Sequence, residues 1–252
     1  MTSELRTQLE GKKKLEVAAT IYAESTLHNP DSVDRSAESR INLAASYPLS
    51  DKIRSALSVS AIQGLDTAQK TYLSNAKLSF SHSAIRLTQD TSLLAGAGLR
   101  LPTNVEDRKL KSYNGAAYIA PQLLTNWSPS GFTFTTLYRV EAQKNSHYWD
   151  RTASGAANLS YSVVNYLGVE HYLTEHISIL VDGDYTYART YQNSLRTNFS
   201  VGESITYEAP KWSLTLGHSN GADALLANGQ DYNIKAFDEK TSAVYINTRI
   251  VF

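Results

Sequence analysis

Apolar and polar residues alternate with period two through most of the chain, from about Lys13 to Phe252, and segments rich in Gly, Asn, Asp and Pro interrupt the alternation. Successive side chains of an extended strand point to opposite sides, so this spacing predicts strands, and helical spacing is nearly absent. The last segment is the clearest. Val244, Ile246, Thr248, Ile250 and Phe252 fall on one face, with Tyr245, Asn247, Arg249 and Val251 on the other. Reading back from it gives about twelve such segments. The first carries Leu15, Val17, Ala19, Ile21 and Ala23 on one side against Glu16, Thr20 and Glu24. In the fourth, Ala76, Leu78 and Phe80 give way to Ile85 and Leu87 of opposite parity, which predicts a bulge near Ser83. The sixth, Asn114 to Leu124, has no assignable face, because Ala116, Tyr118 and Ala120 compete with Ala117, Ile119 and Pro121.

The connections alternate as well. Short ones such as Pro48 to Lys52, Leu173 to His176 and Glu208 to Lys211 follow the even segments. Longer polar ones such as His28 to Glu38, Pro102 to Tyr113 and Ser219 to Glu239 mostly follow the odd ones. Short turns at one rim, long loops at the other and an even strand count predict an all-β fold: an up-and-down antiparallel β-barrel of about twelve strands that spans a membrane. The barrel is expected over residues 13–252, after an N-terminal tail over 1–12 on the periplasmic side, with both chain ends at that rim.

The charges decide which face meets lipid. One face collects Glu16, Glu24, Arg54, Lys77, Arg100, Arg139, Glu141, Glu170, Asp182, Asp184 and Arg249, whereas the apolar face has one clear charge, Glu203. A lipid-facing Arg or Lys at the midplane costs about 2–4 kcal/mol, so the charged set is expected to line the lumen. A soluble β-sandwich would bury the apolar set instead, but aromatic residues gather at the short-turn rim, among them Tyr47, Trp127, Phe132, Tyr172, Tyr207, Trp212 and Phe252. Amphipathic rings suit the headgroup layer.

Composition removes other classes. Net charge is zero, with 24 Lys+Arg against 24 Asp+Glu, so bulk electrostatics gives no nucleic-acid binding. With no Cys there is no disulfide, thiolate metal site or thiol catalysis. The longest apolar run, Ala116 to Ala120, is far below the roughly 20 residues of a membrane-spanning helix. Met1 to Gly11 lacks an apolar segment of the kind a secretory signal carries, which fits a mature exported chain or an ordinary cytoplasmic one.

The pattern resembles the bacterial outer-membrane β-barrel class over about 240 residues, most specifically in the ending Ala-Val-Tyr-Ile-Asn-Thr-Arg-Ile-Val-Phe. The resemblance implies integral residence in that membrane among its lipids. It also implies recognition by the barrel-insertion machinery through Val244, Ile246, Ile250 and Phe252. In overall size and Tyr/Ala-rich strands the chain is also similar to major outer-membrane proteins of predatory bacteria, with no diagnostic motif.

Catalytic chemistry has weak support. His218-Ser219-Asn220-Gly221 looks like the His-x-Ser-Asn-Gly segment of outer membrane phospholipase A, but the spacer is missing, and adjacent residues of a strand point to opposite faces. Ser81-His82-Ser83 has the same fault. Asp182 and Asp184 share a face and suit either a hard cation or pairing with inward Arg or Lys, pairing being favoured. No phosphate loop, zinc motif or cofactor fingerprint is present.

The leading expectation is therefore a non-enzymatic, narrow passive channel for small polar solutes. The lumen is expected to be either an open water path or closed by pairing of its charges. The alternative is a non-conducting structural barrel that homo-oligomerises through small outward residues, Ala19, Ala23, Ala45 and Thr248. A lipid-hydrolysing enzyme is the third reading. The apolar stretch Ala224 to Ala227 is expected to fold inward, to touch a neighbour, or to pack as an ordinary loop.

Overall fold

A computed structural model describes residues 15–27, 36–65, 70–129, 132–224, 233–238 and 241–252. The expected tail over 1–12 lies outside the described residues, as do 225–227 of the apolar loop. Antiparallel pairing of sequence neighbours closes the chain into a barrel of twelve staves. Staves 1 to 3 are β1 (Glu16–Thr26), β2 (Ala37–Pro48) and β3 (Ile53–Gly64). Stave 4 is divided into β4 (Thr71–Leu73), β5 (Ala76–His82) and β6 (Ile85–Arg86), stave 5 into β7 (Thr91–Leu94) and β8 (Gly96–Leu101), and stave 6 into β9 (Tyr113–Ile119) and β10 (Gln122–Trp127). Staves 7 to 12 are unbroken: β11 (Phe134–His147), β12 (Leu159–Tyr172), β13 (Ile177–Thr190), β14 (Leu195–Glu208), β15 (Trp212–Asp223) and β16 (Ser242–Val251). Pairing of β1 with β16 closes the ring, with Ile21 opposite Thr248.

Staves 4, 5 and 6 are each divided, the others not. The expected bulge near Ser83 is a break between β5 and β6, where Ser83 turns its N–H to the carbonyl of Lys52 and the outward parity changes. Pro121, which has no N–H to give a ladder, separates β9 from β10. It also resolves the ambiguous sixth segment: Ala116, Tyr118 and Ala120 are buried on the inner side, and Ile119 is turned outward.

Three short turns close alike. In Leu49-Ser50, Leu87-Thr88 and Leu173-Thr174, the Leu N–H bonds the carbonyl four residues on. Each hydroxyl then accepts from the N–H groups two and three residues further along. Among the described residues the long-loop rim carries one short helix, α1 (Val105–Leu110), which the strand pattern did not predict. Asn104 caps it by accepting from the Asp107 N–H, and Asn75, between β4 and β5, donates to the Asp107 carboxylate at 2.7 Å.

Outward aliphatic residues are about half exposed, for example Ile21, Leu43, Leu167 and Val181, and among the described residues no extended apolar centre lies beneath them. Among the described residues the one buried apolar cluster, Leu94 and Leu124 with Ala84 and Leu137, is a small patch on the inner wall of staves 4 to 7. Aromatic rings form a band at the short-turn rim: Trp127 on Phe134 at 4.8 Å, Phe134 on His171 at 4.7 Å, and Tyr207 on Trp212 at 5.4 Å. An apolar exterior belt bounded by aromatics is the surface a bilayer requires. Among the described residues no helix is long and apolar enough to cross a membrane.

Candidate functional site

Alternation sends every second side chain of the twelve staves into the lumen, where closure brings distant residues together. At the short-turn end, Glu16 of β1 lies 3.8 Å from Arg54 of β3 and 3.7 Å from Arg249 of β16. Arg54 also donates to the Ser46 hydroxyl at 2.9 Å. Beside this group a vestibule of ≈ 1010 Å³ opens between the short turns, lined by Tyr172, Glu208, Lys211 and Arg249 among others.

Further along the lumen a second group of charged and aromatic side chains, the waist, lines the wall. Glu141 of β11 is held between Arg100 of β8 at 2.9 Å and Lys77 of β5 at 3.7 Å, three staves away from the latter. The Lys77 ammonium lies over the Tyr118 ring at 4.4 Å, and Arg100 approaches the same ring. Arg139 lies over Tyr166 at 5.0 Å, and the Tyr166 hydroxyl donates to Asp182 at 2.9 Å. Across the seam Tyr22 stacks on Tyr245, donates to Glu24, and sits beneath Arg40, which pairs with Glu38 at 2.7 Å. Space for these rings comes from glycines. A side chain at Gly98 would collide with Tyr118, and one at Gly217 with Tyr245.

All ten residues expected in the lumen, Glu16, Arg54, Lys77, Arg100, Arg139, Glu141, Glu170, Asp182, Asp184 and Arg249, keep the parity of the inner wall. The expected pairing of Asp182 and Asp184 with Arg or Lys is not what the structure holds. Tyr166 satisfies Asp182, and Asp184 forms no ion pair among the described residues; Arg139, in the same row across Tyr166, lies over that ring instead. Neither is a metal centre found, since the described residues contain no group of three metal-ligating side chains. Sequence reading missed Glu38 and Arg40 by treating Glu38 as loop; β2 begins at Ala37 and turns both inward. It also missed the four waist tyrosines as lumen residues, although the parity of Tyr22, Tyr166 and Tyr245 was readable; that of Tyr118, in the ambiguous sixth segment, was not.

The outer face needs two corrections. Arg189 and Lys144, directly opposite Tyr161 on its two sides, are further outward charges at the long-loop rim, where Arg189 bonds the Tyr187 hydroxyl and Lys144 the Ser160 hydroxyl. Glu203 is not solitary: His218 of the neighbouring stave pairs with it at 3.0 Å, and the Phe237 ring lies 5.8 Å from the imidazole. Segment 233–238 thus packs as a strap on the outside of staves 11 and 12, with Asn220 donating to the Lys235 carbonyl. β15 runs on to Asp223, so Ser219 faces away from His218 and the two form no nucleophile–base pair. Ala19, Ala23, Ala45 and Thr248 all face outward but do not form a smooth strip. Ala19 is flanked by Leu43 and Ile250, Ala45 by Val17, and Thr248 by Ile21. Val244, Ile246 and Ile250 share the outward face of β16, and just beyond its end the Phe252 N–H bonds the Val17 carbonyl.

No family model and no curated protein sequence matches the chain. Solved structures do. An outer membrane channel from Pseudomonas putida F1 aligns with TM-score 0.65 at 15% identity, over 96% of each chain. The NanC porin aligns with TM-score 0.54 at 11% identity, over 94% of this chain and 98% of that one. The KdgM porin, solved in complex with disordered oligogalacturonate, aligns with TM-score 0.51 at 9% identity, over 94% and 99%. The fold is that of a bacterial outer-membrane β-barrel. Together with the apolar belt and aromatic rim of this chain, it makes the protein an integral, multi-strand component of that membrane. These structures lend no support to the narrower resemblance to proteins of predatory bacteria.

Proposed function

We propose that the barrel is a narrow passive channel for small polar solutes and that none of its residues performs covalent chemistry. The observation that carries this reading is the composition of the inner wall: ion pairs, hydroxyls and tyrosine edges follow one another from the vestibule at Arg249 and Glu16 to the waist at Lys77, Arg100 and Glu141. Such a wall supports water and exchanges hydrogen bonds with a passing solute, whereas a barrel serving only as a scaffold gains nothing from charges it must desolvate. Likeness in fold to the three channel and porin structures is consistent with the reading.

Insertion is read as relying on the outward residues Val244, Ile246, Ile250 and Phe252 of the last strand, presented to the barrel-insertion machinery. Single-channel recording in a planar bilayer tests the channel. Discrete current steps from the purified protein are expected. A sealed bilayer at high protein density refutes the reading. If native mass in mild detergent then proves a multiple of 27.8 kDa, falling to one chain when Ala19 or Ala45 is replaced by Leu, the protein is the self-assembling structural barrel instead.

A further inference from the structure

We propose that the waist selects zwitterionic solutes of about dipeptide length, taking the carboxylate at Lys77 and Arg100 and the ammonium at Asp182 and Asp184. This rests on the channel reading and names its solute class. The register puts the groups into two short rows. Lys77 is directly opposite Arg100, and Tyr166 is directly opposite Arg139 on one side and Asp184 on the other. Glu141 ties the rows together by bridging Lys77 and Arg100 from the stave that carries Arg139.

Lys77 and Arg100 exceed Glu141 by one charge, and Asp182 with Asp184 exceeds Arg139, which lies in their own row, by one of the opposite sign. The sum is zero, but the charges are separated, so a field runs across the lumen rather than along it. A monovalent ion gains at one wall what it loses at the other. A solute carrying both charges gains at both walls once it is oriented, and low-dielectric walls strengthen the effect. Arg100 and Asp182 stand four staves apart around the ring. With strands spaced by about 4.8 Å and tilted by roughly 40°, a twelve-stave barrel is about 25 Å across between backbones, and a chord over four staves is about 20 Å. Side chains reaching in from both ends leave a gap of roughly 10 Å, which a dipeptide spans with a hydrogen bond of about 2.8 Å at each terminus. A free amino acid is too short to touch both walls.

The test is swelling of proteoliposomes containing the full chain, in isotonic glycylglycine and in isotonic N-acetylglycinamide, a neutral solute of similar size. Glycylglycine is expected to enter about fivefold faster, the effect of a modest difference in ion-contact energy. In the Asp182→Asn/Asp184→Asn variant the two rates are expected to converge while the neutral solute is unaffected. Lys77→Gln/Arg100→Gln serves as the independent variant should the first fail to form a barrel by circular dichroism. Equal rates in the native protein overturn the inference while leaving the channel intact, and so does a preference that survives both variants. Swelling with neither solute overturns the channel reading itself, and the inference with it.

Discussion

Replacing Glu141 with Gln leaves Lys77 and Arg100 facing each other and the lumen without a counter-charge, and it changes almost nothing else in shape. The carboxylate is wedged between them at 2.9 and 3.7 Å, its side chain only 14% exposed, whereas the cations remain 37% and 34% exposed to the lumen. The variant therefore adds one net positive charge at the waist. For a permeant ion about 8 Å away in a water-filled lumen, that charge is worth about 0.5 kcal/mol. It acts with opposite sign on anion and cation, so their permeability ratio should move about fivefold toward anions at low salt. Screening at 0.1 M, where the Debye length is about 10 Å, reduces this to roughly twofold. Reversal potentials in a KCl gradient, measured at both ionic strengths, report the ratio directly. A ratio that does not move, or moves toward cations, would refute the placement of Glu141 on the conducting path.

Leu43→Arg puts a cation on the half-exposed outer face and should cost about 2–4 kcal/mol in urea unfolding from lipid vesicles, while Ser58→Arg on the inner wall should be tolerated; equal effects would reverse the assignment of faces. Gly98→Ala brings a methyl group against the Leu78 carbonyl and the Tyr118 hydroxyl, and an overpacking loss of about 1–3 kcal/mol is expected in the same assay. Glu203→Ala removes the partner of His218 beneath Phe237, so limited proteolysis within segment 233–238 should accelerate several-fold; an unchanged rate would mean that the pair does not hold the strap. Phe252→Ala should reduce the yield of inserted barrel in cells with little effect on folding into detergent, a contrast that separates recognition from stability.

The alternation of Val244, Ile246 and Ile250 with Tyr245, Asn247 and Arg249 was sufficient to determine strands, their faces and the rim at which the chain ends. Period two is a property of each residue and its second neighbour, and a lipid-facing charge is penalised wherever the strand lies. The bulge near Ser83 was legible for the same local reason, as a change of parity. What charge meets what charge was not. Lys77 and Glu141 are 64 positions and three staves apart, and their contact depends on the register of every intervening pair and on the closure of β1 against β16. The displacement of Asp182 from an arginine to Tyr166 has the same origin, because only the packed lumen lays a ring between them. The strap over His218 is likewise a tertiary fact. Loop residues carry no period, so their side of the wall is decided by the polar groups they find there, here Asn220 and Ser242.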